Sequence, residues 1–327
     1  MLGCLLPRLA ALGWRVDWLQ HDRHGRRAGD AADDPAAAAG IRCHGNPRRG
    51  DIVAVDALPG LLRAVRPDAV LWCHDPWLPN LHSEALDAEA PAAARVLYCP
   101  VEFDRLGVGA ESLEALDRIV PMTRYGARVL AGVLGPACGR LAPPVPHPAD
   151  GRVAPPRLDP AAARAALVRR GRLPVETAAA PLLVLNANRH RARKRLDLSV
   201  RGFARFARSV AGPPPVLVLH AAPRGPCGDL PEIAAEGGVA RQVVVTGEGE
   251  THPDWPDPDL ALLYATAGIG INTAEGEGWA WSPWSMPPPG RRRSCRAVAP
   301  RRKSGGARPS CCRRTRPPRM WRWRWRR

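Results

Sequence analysis

The sequence predicts an α/β protein built from two doubly wound parallel sheets. Short apolar runs, among them residues 68–73, 95–98, 183–186 and 215–220, alternate with segments of helical period in both halves. A proline-rich stretch over residues 143–160 separates the halves and reads as a linker. Polar and glycine-rich residues follow the apolar runs directly, where an open parallel sheet presents its ligands. With 327 residues, 45% of them hydrophobic, the chain has room for two domains with cores of their own. The expected division is 1–150, a connecting segment 151–176, a second domain 177–279 and an aberrant tail 280–327.

Residues 2–12 are apolar at helical spacing, and Gly13 ends the helix. Trp14 to Leu19 alternates like a strand. Because a domain of this type opens on a strand and a tight turn, a first strand is expected upstream of Met1. Residues 20–50 read as a mobile loop with a weak strand near Ile41 to Cys43. Asp51 to Val55, Leu58 to Val65 and Asp68 to Cys73 are expected to form strand, helix and strand, ending in His74-Asp75-Pro76-Trp77. Further strands are expected at Arg95 to Tyr98, leading to Cys99-Pro100-Val101-Glu102, and at Arg118 to Met122, before a Thr123-capped helix from Arg124 to Leu134.

After a helix from Pro160 to Arg170 the pattern restarts. Strands are expected at Pro181 to Asn186, Pro215 to His220, Gln242 to Thr246 and Gly268 to Ile271, and helices at Asp197 to Val210, Leu230 to Glu236 and Asp257 to Ala267. Between the first of these strands and its helix lie Arg189, Arg191, Arg193, Lys194 and Arg195. Five cationic side chains beside a helix N-terminus make an anion trap that suits a diphosphate. The last strand runs into Asn272-Thr273-Ala274-Glu275-Gly276-Glu277-Gly278-Trp279. Its glycines allow close backbone approach, and a carboxylate such as Glu277 accepts paired hydroxyl hydrogen bonds of the kind a sugar offers. His74 and Asp75 occupy the corresponding place in the first half.

Composition changes abruptly after Trp279. Residues 280–327 hold sixteen of the 48 Lys and Arg and no Asp or Glu, leaving 32 basic residues against 31 acidic ones in residues 1–279, so the formal charge of +17 belongs almost wholly to the tail. The near-neutral body has no second basic stripe to track a phosphate backbone, which argues against specific nucleic-acid binding. There is no apolar run of membrane-spanning length and no signal peptide, so the chain is placed in the cytoplasm, with peripheral membrane contact left open. Six scattered cysteines in the body read as reduced packing residues, and no metal site is expected. The competing class is a binding protein whose Arg/Trp tail grips nucleic acid or an anionic membrane.

On Arg189 with Lys194 five residues on, on Glu277-Gly278-Trp279 after a strand, on Val145-Pro146-His147 and on Thr123-Arg124-Tyr125-Gly126, residues 1–279 resemble the family 4 glycosyltransferases of GT-B fold, which pair two Rossmann-like domains. The resemblance implies a retaining, metal-independent hexosyltransferase taking a nucleotide-sugar donor and a carbohydrate, lipid or protein acceptor, with no other cofactor. Arg189 and Lys194 would hold the donor diphosphate and Glu277 the donor sugar. Thr246, Gly247, Glu275, Gly278 and Trp279 would complete the donor side, and His74 with Asp75 would line the acceptor side.

The family pattern continues to a second glutamate eight residues after the first, and this chain has Ser285 there. Read one nucleotide out of phase with GC-rich codons, residues 280–290 become Gly-Leu-Val-Pro-Leu-Glu-His-Ala-Ala-Thr-Gly, restoring that glutamate. The closing Trp-Arg repeat becomes a Val-Ala repeat. A frameshift near the codons for Trp279 and Ala280 is therefore expected. The second domain would then be incomplete, the tail a disordered basic appendage, and the product poorly soluble or inactive.

Overall fold

The computed structural model describes residues 5–24, 40–48, 50–104, 106, 107, 109, 111–147 and 159–279. The tail with Ser285, for which a frameshift is expected, much of the loop expected over residues 20–50, and the expected domain boundary near residue 150 lie outside the described residues.

The first half opens with helix α1 (Leu6–Ala11), which carries Pro7 in its first turn and is followed by Gly13 in a left-handed conformation, as the sequence predicts. Strand β1 (Asp17–His24) starts three residues later than expected and pairs in parallel with β2 (Arg42–Asn46). Helix α2 (Leu58–Val65), β3 (Ala69–Cys73), α3 (Leu78–Glu89), β4 (Ala94–Cys99), the short α4 (Glu111–Glu114), β5 (Arg118–Pro121) and α5 (Arg124–Leu134) follow. Strands β3, β4 and β5 form a three-stranded parallel sheet, separate in hydrogen bonding from the β1–β2 pair. Thr123 caps α5 as expected, its hydroxyl accepting from the Gly126 N–H at 2.9 Å.

The differences from expectation include two in the first half. Asp51 to Val55 is a turn rather than a strand, because the Asp51 carboxylate accepts from the Val55 N–H at 2.8 Å and the Asp56 N–H at 3.0 Å, drawing the backbone into a loop that leads to α2. Helix α3, missed in the sequence, has no side-chain cap at its start, and Pro79 in its first turn is the local signal it carries there. Its His82 accepts from Trp72 Nε1 at 3.0 Å and bonds the Val53 carbonyl through Nε2 at 2.9 Å, satisfying a buried imidazole from both sides.

The second half consists of α6 (Pro160–Arg169), β6 (Leu183–Asn186), α7 (Leu196–Ser209), β7 (Val216–Leu219), a small hairpin of β8 (Arg224–Gly225) and β9 (Gly228–Asp229), α8 (Leu230–Glu236), β10 (Val243–Val245), α9 (Asp257–Thr266) and β11 (Ile269–Gly270). Its four-stranded sheet has the order β10-β7-β6-β11, and every pair in it is parallel. Strands β6 and β7 are buried along their whole length, as central strands covered on both faces must be. Alternation divides their side chains between two cores. Leu183, Leu185, Val216 and Val218 pack with α6 and α9, while Val184, Leu217 and Leu219 pack with α7 and α8. Helix α7 meets that second core with Leu196, Val200, Phe203 and Ala204, positions spaced for one helical face.

A polar clamp closes the other layer. Asp259, in the first turn of α9, takes Arg172 Nε at 2.8 Å and Arg170 on its other oxygen, and the Arg172 guanidinium lies 5.3 Å from the centre of the Trp255 ring. Because both arginines are partly solvated and the aspartate is buried, replacing Asp259 removes the partner without stranding a buried cation. Asp259→Ala is expected to cost about 1–2 kcal/mol and lower the melting temperature by several degrees in a calorimetric scan.

Candidate functional site

A ladder of side-chain amides and hydroxyls runs from α7 to the turn after β11. Buried Asn186, the last residue of β6, donates to Ser199 Oγ at 2.8 Å and accepts from the Asn188 side chain at 2.9 Å. Asn188 donates onward to Asn272 Oδ1 at 3.2 Å, and Asn272 donates to Glu277 Oε1 at 3.0 Å. The Ser199 hydroxyl also meets Thr273 Oγ1 at 2.8 Å, and Thr273 reaches the Arg195 carbonyl at 2.8 Å. These bonds fix one oxygen of Glu277. Lys194 Nζ holds the other at 2.6 Å. Two elements separated by more than eighty positions in the chain are thereby locked face to face at the carboxyl ends of β6 and β11.

The first half supplies the opposite wall. Arg193 Nη2 lies 2.6 Å from Glu102 Oε1, in the loop after β4, while its Nη1 donates to the Gly276 carbonyl at 2.9 Å and stands 3.7 Å from Glu277 Oε2. The turn 276–279 packs directly onto that loop. A Cβ on Gly276 would stand 2.6 Å from the Phe103 ring, and one on Gly278 would stand 2.2 Å from Pro100, so glycine at both positions is a steric requirement. Trp279 meets the buried His147 ring edge to face at 6.3 Å, and Tyr98 Oη lies 3.2 Å from His147 Nδ1.

Charge in this crevice is concentrated and half-dehydrated. Burial raises the Glu102 carboxyl above the ordinary carboxylate range; Arg193 and Lys194 oppose the rise, and the charges of Asp75 and Glu277 add to it. Burial lowers the Lys194 ammonium from its ordinary value, against the pull of Glu277. Asp75, just past β3, therefore acts electrostatically on the same cluster, and its charge also adds to the burial that raises the Cys99 thiol to about 12. Carboxylates from both halves and two cations thus face one another where a doubly wound sheet presents ligands. Such a cluster offers an anionic ligand two cations that are already desolvated, at the cost of their internal ion pairs.

The remaining sequence-predicted residues fall around this cluster. Glu275 is exposed and bonded to Arg195 at 3.0 Å. Arg189 is exposed on the loop after β6; burial lowers the His252 imidazole from its ordinary value, and the charge of Arg189 adds to that shift. Thr246 and Gly247 follow β10: Thr246 Oγ1 lies 2.9 Å from His220 Nδ1, and the Gly247 N–H donates to the Ala221 carbonyl at 3.0 Å. His74 stands edge to face with Trp77 at 4.9 Å and lines a cavity of the first half together with residues of β1 and β3. The sequence did not single out Glu102, Asn186, Asn188 or Asn272 for a role, and it named Arg193 only as one of the five cations of the anion trap. Glu102 carried a signal, a carboxylate just past a strand's carboxyl end, but nothing local shows that Arg193 comes to meet it. Among the described residues no group of three or more His, Cys, Asp or Glu side chains is arranged to hold a metal ion, and no helix is long and apolar enough to cross a membrane.

No protein-family model and no curated protein matches the sequence. Solved structures do match in shape. The chain is similar to sucrose-phosphate synthase from Thermosynechococcus elongatus, with a TM-score of 0.63, 16% identity, and 86% of this chain and 71% of that one covered. It is similar to a glycosyltransferase from Rickettsia africae, with a TM-score of 0.54, 11% identity, and 84% and 69% covered. A third likeness is to the N-terminal domain of trehalose-6-phosphate phosphatase from Candida albicans, with a TM-score of 0.50, 14% identity, and 71% and 56% covered. At such identities the likeness shows the fold, which is the expected one: two doubly wound, Rossmann-like α/β units in the GT-B arrangement.

Two outcomes follow from the packing. Gly278→Ala is expected to lower stability by about 1–3 kcal/mol through the clash with Pro100, whereas Gly202→Ala on the open face of α7 is expected to be neutral or stabilising; paired thermal melts compare them. His220 is pushed down from its ordinary value of 6.5 to about 4 by burial, with His252 adding to the shift. Its unfolded form binds a proton between those values and its folded form does not, so stability is lost as pH falls through that window. His220→Gln is expected to flatten the fall in unfolding free energy between about pH 6.5 and pH 4, by up to roughly 3 kcal/mol, as denaturant titrations across that range measure.

Proposed function

We propose that this chain is a retaining glycosyltransferase of the family 4 type, moving a sugar from a nucleoside diphosphate donor to an acceptor hydroxyl. The observation that carries the reading is the Lys194–Glu277 pair at 2.6 Å, set at the carboxyl ends of two parallel strands and facing Glu102 of the first half. In this reading Lys194, with Arg193 and Arg189, neutralises the charge that builds on the departing diphosphate, work that other enzymes assign to a metal ion. Glu277 turns from Lys194 to accept hydroxyl hydrogen bonds of the donor sugar, while Asn272 keeps the carboxylate plane fixed. Asp75 and His74 lie on the acceptor side, and closure of the halves excludes water from the reacting centre.

The same reading carries the frameshift as a proposal. A second acidic residue at the position of Ser285 would take up the donor ribose, and an out-of-phase tail explains why sixteen basic residues follow without one acidic one. The nucleotide sequence across the codons for residues 270–327 tests this: an adjacent frame lacking the acidic, leucine-containing continuation would dismiss it.

Binding of UDP- and GDP-sugars to the frame-restored protein, measured by titration calorimetry, is expected at micromolar Kd. Lys194→Ala is expected to weaken it by about tenfold or more, the scale of a charge-assisted phosphate contact, and to lower kcat by roughly a hundredfold. Absence of affinity for any nucleoside diphosphate sugar in the restored protein would end the proposal.

A further inference from the structure

Exposed aromatic rings stand at matching places along the carboxyl edge of the sheet β3-β4-β5. Trp77, Phe103 and Tyr125 each lie four residues past the end of a strand, after Cys73 of β3, Cys99 of β4 and Pro121 of β5. Those strands are neighbours and end nearly in register, with Cys73 beside Tyr98 and Cys99 beside Pro121. The rings are 38%, 36% and 40% exposed, whereas Trp72, inside β3, is 6% exposed. A lone exposed ring is ordinary, but a row of them on one rim marks a surface that something apolar covers. We infer that this rim is the acceptor platform, and that the acceptor it takes is an uncharged oligosaccharide, a disaccharide or longer, with its ring faces on Trp77, Phe103 and Tyr125 and its hydroxyls bonded to Asp75 and Asp104. The inference rests on the glycosyltransferase reading above and names the acceptor class for it.

The occupant follows from what stands among the rings. Asp75 precedes Trp77 by two residues, and Phe103 lies between Glu102 and Asp104. Burial raises the Tyr125 hydroxyl above its ordinary value, and the charge of Asp104 adds to the rise, so that carboxylate acts on the third ring; Asp75 acts in the same way on Glu102. Rings and carboxylates therefore share one surface. A sugar presents C–H bonds on its faces and hydroxyls around its edge. The electron-rich face of an aromatic ring meets the first, and a carboxylate accepts from the second. An acyl chain would cover the same rings only by drying the carboxylates without replacing their hydrogen bonds. An acidic sugar or an anionic lipid surface would meet Asp75, Glu102 and Asp104 as like charges, which Arg128, the cation acting on Tyr125, offsets only in part.

Dimensions and continuity agree with this. Neighbouring strands lie ~4.8 Å apart, so the three strand ends span roughly 10 Å, more than one sugar ring covers. Phe103 joins the rim to the proposed donor side, since a Cβ on Gly276 would stand 2.6 Å from its ring, and Glu102 beside it lies 2.6 Å from Arg193. At the far end Gly126 seats the start of α5 on Val101, where a Cβ would stand 3.1 Å away, and this holds Tyr125 against the loop after β4. His74 braces Trp77 edge to face at 4.9 Å.

The test titrates maltotriose, cellotriose and triacetylchitotriose onto the full chain by calorimetry, and in parallel vesicles of phosphatidylcholine with phosphatidylglycerol. At least one trisaccharide is expected to bind with a Kd of about 1 mM or tighter. Trp77→Leu and Tyr125→Leu are each expected to weaken it about three- to tenfold, and Trp77→Phe, which keeps a ring, by less than about twofold. Melting temperatures within about 2 °C of the parent, expected for exposed positions, separate a lost contact from a lost fold. Absence of affinity for all three trisaccharides, or equal losses from Trp77→Leu and Trp77→Phe, would overturn the inference. So would vesicle binding that Trp77→Leu abolishes, or a dimer that it dissociates, which would give the rim to a membrane or to a second copy. Affinity for a nucleoside diphosphate sugar without affinity for any trisaccharide removes the platform and leaves the transferase reading standing. Trisaccharide affinity without donor affinity ends that reading, and the acceptor role with it.

Discussion

Glu277 is held through both carboxylate oxygens, by Asn272 on one side and Lys194 on the other, and the arrangement of the second half's ligand face follows from that. Lys194 sits on the loop after β6 and Asn272 just past β11. Neither could reach Glu277 unless the two strands lay side by side in register, as they do where Ile269 pairs with Val184. The ladder of Asn186, Asn188 and Ser199 beneath them consumes every nearby amide and hydroxyl that would otherwise be buried without a partner. Rigidity at the site is thus a by-product of satisfying polar groups that the parallel sheet buries.

That rigidity is paired with a charge distribution that invites exchange. Arg193 and Lys194 are compensated by Glu102 and Glu277, and burial pushes one carboxyl up and the ammonium down, so each pair is held at some cost in solvation. In the proposed reading, an anionic ligand that took over the cations would free the carboxylates to accept hydrogen bonds and release the Arg193–Glu102 contact between the halves, so that binding and relative movement of the halves would be coupled through one guanidinium. The close approach of Gly276 and Gly278 to residues 100–103 is the apolar counterpart, a contact that only the missing side chains permit.

The second half was more legible than the first because its elements carry their own signals. Helix α8 lies over the predicted residues, and β6 and β7 differ from expectation by a residue or two, since continuous apolar runs bounded by turn residues leave a strand few alternatives. In the first half, Asp51 to Val55 has a strand's pattern, yet the Asp51 carboxylate accepts from the Val55 and Asp56 amides; α3 starts with Pro79 in its first turn but without a side-chain cap. The cationic loop and the Glu277 turn could be named from residue type and place. Their partners could not, because Arg193 and Glu102 are brought together from opposite halves.

By itself, the sequence determined the alternation of strands and helices, the carboxyl-end position of the polar residues and the break in composition after Trp279, since periodicity, turn chemistry and charge are local properties of a chain. Only the tertiary structure decided which cation meets which carboxylate, and that Arg193 and Glu102 come together from opposite halves. Those are relations between segments distant in sequence, fixed by strand order and by burial, and neither quantity is written in any single stretch of residues.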